Sequence, residues 1–81
     1  MRVWFSAAAE DDIDRLPGYL QTRIVSKIGF YASQPDPLQF AEPLSGSDFY
    51  RFRMGAYRVI FEILHGTLWV LAIKRRDEAY R

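Results

Sequence analysis

Between Phe49 and Ile63 the chain alternates apolar and charged positions, turns at Gly55-Ala56, and alternates again. Tyr50, Phe52 and Met54 fall on one parity, and Arg51 and Arg53 on the other. After the turn Val59, Phe61 and Ile63 share one parity, while Arg58, Ile60 and Glu62 share the opposite one. Side chains point to opposite faces in succession along a strand, so this pattern predicts a hairpin with one oily and one charged face. A third strand follows over Leu68–Ile73, after Leu64-His65-Gly66-Thr67. A two-residue turn with glycine second is a strong hairpin signal, and histidine tolerates positive φ better than most residues.

Upstream the period lengthens. Arg2–Phe5 is rich in β-formers and reads as a short strand. Ser6 stands where an N-cap belongs, ahead of Ala7-Ala8-Ala9. Glu10, Asp11 and Asp12 fall in early turns, where acids suit the helix dipole, and they read as a solvated helix face. Ile13 and Leu16 supply the buried side of this short helix. Pro17-Gly18 breaks the pattern and starts a second helix that runs to about Ala32. Leu20, Ile24, Ile28 and Tyr31 form its apolar stripe. Two prolines in Gln34-Pro35-Asp36-Pro37 end it. Leu38–Asp48 reads as an ordered loop, pinned by Phe40 and Leu44.

The order β-α-α-β-β-β predicts an α+β domain. An N-terminal strand and an antiparallel helix hairpin would pack on one face of a mostly antiparallel four-stranded sheet. The other face would carry Arg51, Arg53, Arg58 and Glu62. Residues 1–81 are expected to form a single domain, since so short a chain buries only about 60–65 % of its unfolded surface.

Charge changes this picture more than composition does. Apolar content of 49 % with 26 % charged residues is ordinary for a globular protein. The net charge of +1 hides a division: residues 1–48 carry four basic groups and seven acids (−3), and residues 49–81 seven and three (+4). A basic C-terminal half points to an anionic partner such as nucleic acid. With no cysteine there are neither disulfides nor thiolate metal sites, and no metal or cofactor is expected. No apolar run is long enough to span a bilayer, and the start of the chain does not read as a signal peptide, so a cytoplasmic location without membrane contact is expected.

Three arginines on one open sheet face make a phosphate surface, because the planar guanidinium holds phosphate oxygens bidentately. The alternative is a face laced by ion pairs, with Glu62 pairing Arg58 or Arg53. One acid against three arginines leaves positive charge over. His65 reads as a turn residue rather than a catalyst. Trp4 and Trp69 read as core or edge-packing residues rather than base-stacking platforms. Tyr80 lies among Arg75, Arg76 and Arg81, and spacing leaves it open between stacking on a base and packing back on the sheet.

Tyr50-Arg51-Phe52-Arg53, with Gly55-Ala56-Tyr57-Arg58-Val59-Ile60-Phe61-Glu62-Ile63, resembles the core motif of the RelE/ParE toxin superfamily. The ending Arg76-Asp77-Glu78-Ala79-Tyr80-Arg81 is similar to that family's C-terminal signature, and Pro37–Gly46 to its approach loop. The resemblance implies a toxin of a type II toxin–antitoxin system, bound by a cognate antitoxin in a hetero-oligomer. Its RelE branch implies a ribosome-dependent endonuclease that cuts mRNA without a metal, the ribose 2′-hydroxyl attacking the adjacent phosphate. By position it implies catalytic roles for Arg58, Arg76 and Tyr80, and substrate binding by Arg51 and Arg53, with Arg75 beside them. The best-known RelE pattern has lysines where this chain has Arg51 and Arg53, and arginine does not give up its proton. The proton acceptor then falls to Tyr80, to Glu62 or to ribosomal RNA. The alternatives are a ParE-like toxin that poisons gyrase through protein contacts, and a non-catalytic antitoxin-binding or co-repressor module.

Overall fold

The computed structural model describes residues 1–76. Tyr80 and Arg81 of the C-terminal signature lie outside the described residues. The elements are β1 (Arg2–Phe5), α1 (Ala7–Asp14), α2 (Gly18–Ala32), a 3-10 turn (Pro37–Phe40), β2 (Glu42–Pro43), β3 (Tyr50–Met54), β4 (Tyr57–Leu64) and β5 (Thr67–Arg75).

Local chemistry sets the helix starts. The Ser6 hydroxyl accepts from the Ala9 amide at 3.0 Å, which caps α1, and donates to the Leu71 carbonyl at 2.9 Å, which ties that cap to β5. Pro17 occupies the N-cap position of α2 with no side-chain bond, as a residue without an N–H of its own can. Ile24, Ile28 and Ala32 form the buried edge of α2.

The strands form one five-stranded sheet in the order β1-β5-β4-β3-β2. β1 runs parallel to β5, and the remaining neighbours are antiparallel. The fifth strand is the correction to the four expected: Glu42 and Pro43, inside the stretch read as loop, pair with Arg51 and Tyr50. The turn at His65-Gly66 is as expected, with φ of +50° and +73°.

Both helices bury against one face. Ala9, Ile24, Ile28 and Ala32 meet Phe52, Val59, Phe61, Leu68, Val70 and Ile73 in one core. Phe52 and Phe61 stack at 4.2 Å, and Tyr31 packs between Phe52 and Phe40 at 4.7 Å from each. Each fully buried ring or branched chain contributes about 1.5–3 kcal/mol.

One irregularity decides what the opposite face carries. Ile60 pairs with Ala72 but Phe61 pairs with Val70, so β5 holds one extra residue, Leu71, at a bulge. A bulge re-aims the side chains beyond it. Val70 and Leu68 face the helices, and plain alternation would send Lys74 there with them. The bulge instead places Ala72 and Lys74 opposite Ile60 and Arg58, on the uncovered face.

Candidate anion-binding face

The uncovered face is organised in cross-strand rows. Arg53, Arg58 and Lys74 form one row across β3, β4 and β5. Arg51, Ile60 and Ala72 form the next, with Glu42 of β2 beside Arg51. Directly paired residues hold their Cβ atoms about 4.5–5.5 Å apart, so the four cations share one small area.

Among the described residues two carboxylates answer them. Glu42 Oε2 lies 3.1 Å from Arg51 Nη2, and Glu42 Oε1 lies 3.2 Å from Arg53 Nη1. Hydrogen bonds from Arg51 and then Arg53 hold the Glu42 carboxyl below its usual range. Asp12 of α1 reaches past the edge of β5. Its Oδ2 accepts from the Ile73 amide at 2.9 Å, and its Oδ1 lies 3.5 Å from Lys74 Nζ. The acid cluster of α1 is therefore divided: Glu10 and Asp11 are exposed as expected, whereas the Asp12 side chain is only 9 % exposed and serves the sheet. Among the described residues, four cations against these two carboxylates leave a net charge of +2 on this part of the face.

Arg58 stands apart. It is on the charged parity as expected, yet only 1 % exposed. Its Nη1 donates to the carbonyls of Gly55 (3.2 Å) and Tyr57 (3.0 Å), which braces the β3–β4 turn. Its buried Nε–H has no acceptor among the described residues.

The other expected site residues separate. Arg75 pairs with Tyr57 and takes the helix-side parity, lining a cleft with Asp12, Arg15 and Tyr57. Arg76 is exposed, and its amide donates to the Ala56 carbonyl at 2.7 Å, two residues beyond Lys74. Glu62 does not pair with Arg58 or Arg53. It lies four residues along β4 from Arg58, roughly 13 Å at the usual strand rise, and its cross-strand neighbour is Trp69. Among the described residues the acid that pairs with Arg51 and Arg53 is Glu42.

Trp4 and Trp69 lie outside the core at the β1 edge of the sheet, the second of the two placements expected of them, core or edge packing. They are direct partners on β1 and β5, lie on the uncovered face, and are 52 % and 37 % exposed. Their rings stack with centroids 6.0 Å apart and planes at 21°.

Sequence alternation missed Lys74 because the bulge is set by pairing with β4. The signal present was the unbroken apolar run Leu68–Ile73, too long for strict alternation. Glu42 carried no local signal at all, since its role comes from β3 beside it.

Three cations in one cross-strand row, with Arg51 in the next, lie on the face of a small mixed sheet that the helices leave open, in an α+β fold. The sequence model of the family described as ParE toxin of type II toxin-antitoxin system, parDE, matches residues 3–80, and the chain belongs to that family, within the RelE/ParE superfamily. A chain of the toxin–antitoxin complex RelBE2 from Mycobacterium tuberculosis is 26 % identical, with 93 % of this chain and 90 % of that one covered and a TM-score of 0.78. A chain of the archaeal RelE–RelB complex from Pyrococcus horikoshii is also 26 % identical, with 93 % of each chain covered and a TM-score of 0.72. The isolated RelE toxin of Escherichia coli shares the fold at 15 % identity, with 98 % and 89 % covered and a TM-score of 0.76. No curated protein sequence matches the chain.

Proposed function

We propose that this chain is a ribosome-dependent endoribonuclease toxin that cuts mRNA by attack of a ribose 2′-oxygen on the adjacent phosphorus, without a metal. The observation that carries this reading is the row Arg53–Arg58–Lys74, with Arg51 beside it, on the uncovered sheet face. The attack forms a 2′,3′-cyclic phosphate and expels the 5′-oxygen, with negative charge building on the phosphoryl oxygens. Preorganised cations stabilise that charge, and fixed geometry replaces a bimolecular encounter.

Arg51 and Arg53 bind phosphates in exchange for Glu42. Arg58 supplies a buried Nε–H with no acceptor among the described residues, and a phosphoryl oxygen that met it would remove an unpaired-donor cost of about 1–3 kcal/mol. Lys74 carries an ammonium proton that it can give to the departing 5′-oxygen, which the arginines do not do. Arg76 assists the departing oxygen and Tyr80 acts on the substrate, the roles the family resemblance implies for them, and the 2′-hydroxyl proton passes to Tyr80 or to ribosomal RNA. Glu62 is too far along β4 for that role.

The partners are a cognate antitoxin, as in the RelB–RelE complexes it resembles, and the ribosome with its mRNA, in the cytoplasm. Among the described residues no helix is long and apolar enough to cross a membrane. The family match supports a second reading, a ParE-like toxin acting on gyrase. Mapping mRNA cleavage beside a DNA-supercoiling assay separates the two. The ribonuclease reading expects cut mRNA and normal supercoiling, and intact mRNA with blocked supercoiling overturns it.

A further inference from the structure

We infer that Trp4, Trp69 and Glu62 form a nucleobase-recognition subsite on the same face as the cation row. The inference rests on the RNA-binding part of the proposed function and names what lies beyond the phosphate groove. Two indoles stand side by side on β1 and β5, stacked on one another and 52 % and 37 % exposed. They are absent from the core cluster, and the helices lie on the other face. Exposed aromatic faces beside a basic groove are how single-stranded nucleic acid is held, since every base has a π-face to offer.

The spacing fits a strand of RNA. Trp69 is five residues before Lys74 on β5, one of them the bulge, so the two are roughly 13 Å apart along the strand. That spans about four nucleotides at the stacked rise of about 3.4 Å, and fewer if the strand is extended. Phosphates on the cation row would thus bring a neighbouring base over the indoles. The cations are concentrated at one end of the face and the rings at the other, as a backbone-plus-base ligand requires.

Glu62 gives the subsite an edge reader. It is the cross-strand partner of Trp69 and makes no hydrogen bond or ion pair among the described residues. An ionised carboxylate only accepts hydrogen bonds, so beside a stacked base it selects edges that carry donors. Cytosine presents an amino group where uracil presents a carbonyl, so the subsite favours cytosine of that pair.

These are the only two tryptophans in the chain, so fluorescence excited selectively at tryptophan, past the absorption of the five tyrosines, reports on the subsite alone. The intact protein is titrated at low salt with hexameric oligo(C), oligo(U) and an abasic ribose-phosphate hexamer, with binding followed in parallel by anisotropy. The expected result is quenching by both base-bearing oligomers, tighter binding of oligo(C), and binding of the abasic chain without quenching. Trp69→Ala and Trp4→Ala should each weaken oligo(C) binding about 5- to 150-fold, the range of one lost stack. Glu62→Gln should remove the cytosine preference while quenching persists. Bound RNA with unchanged fluorescence, equal quenching by the abasic chain, no binding at all, or tryptophans that respond only to a partner protein would each overturn the inference. Quenching with the cytosine preference, in a protein that cuts no mRNA on ribosomes, would uphold the subsite while the nuclease reading fell.

Discussion

The Ile73 amide donates to Asp12 Oδ2 at 2.9 Å, and the other oxygen of the same carboxylate stands 3.5 Å from Lys74 Nζ. One side chain of α1 thus closes the free edge of β5 beyond the bulge and fixes the lysine of the cation row. Asp12→Ala leaves a buried amide unpaired and should cost about 1–3 kcal/mol in denaturant unfolding. Asp12→Asn keeps the acceptor and should lose less stability, yet it frees Lys74. Cleavage that falls in Asp12→Asn while stability is largely kept would assign the carboxylate a positioning role.

Glu42 competes with phosphate for Arg51 and Arg53. Glu42→Gln should raise affinity for a polyanion and steepen its salt dependence by about one to two released counterions. Acid should act the same way. The folded-state carboxyl is held low by Arg51 first and Arg53 second, so its contribution to stability is present above the usual carboxylate range. It is lost as pH falls through the lowered folded value. Polyanion affinity should therefore rise across that acidic window in the wild type and stay flat in Glu42→Gln, as measured by binding at constant salt.

Arg58 is a buried cation with no carboxylate partner among the described residues. Burying a charge is costly unless it is paired and hydrogen-bonded, and an apolar chain of similar volume removes that cost. Arg58→Met should therefore unfold at no lower denaturant concentration than the wild type while losing growth arrest. Loss of stability and of activity together would mean that bracing the β3–β4 turn is the whole of its role.

His65 holds a positive φ in the β4–β5 turn, at the opposite end of β4 from Arg58. His65→Asn, which also tolerates that conformation, should change stability by no more than about 0.5 kcal/mol and leave the rate and pH profile of cleavage unchanged. A shifted pH profile would return histidine to the mechanism.

Punctuation and period carried most of the fold. Ser6, Pro17 and the two prolines after Gln34 bound the helices within a residue or so, and Gly55 and His65-Gly66 marked both hairpin turns. What stayed hidden was fixed by neighbours distant in the chain. Glu42-Pro43 is a strand only because β3 is beside it, and proline is a poor strand former. Arg51, Arg53 and Arg58 were placed on the charged parity by alternation within one hairpin, where no bulge intervenes. Lys74 was not, because Leu71 shifts the parity of everything after it. Trp4 and Trp69 read as core or edge-packing residues by type, while their position opposite the helices is a property of the sheet.

The central claim is that the cation row cuts mRNA that the ribosome presents. Its most direct test is to incubate one mRNA with the protein in the presence and absence of translating ribosomes, with Lys74→Ala alongside. The account predicts cleavage only on ribosomes, reduced about 10²- to 10⁴-fold in Lys74→Ala as expected for a lost general acid. Cleavage of free mRNA at the same rate, or a Lys74→Ala protein as active as the wild type, would contradict it.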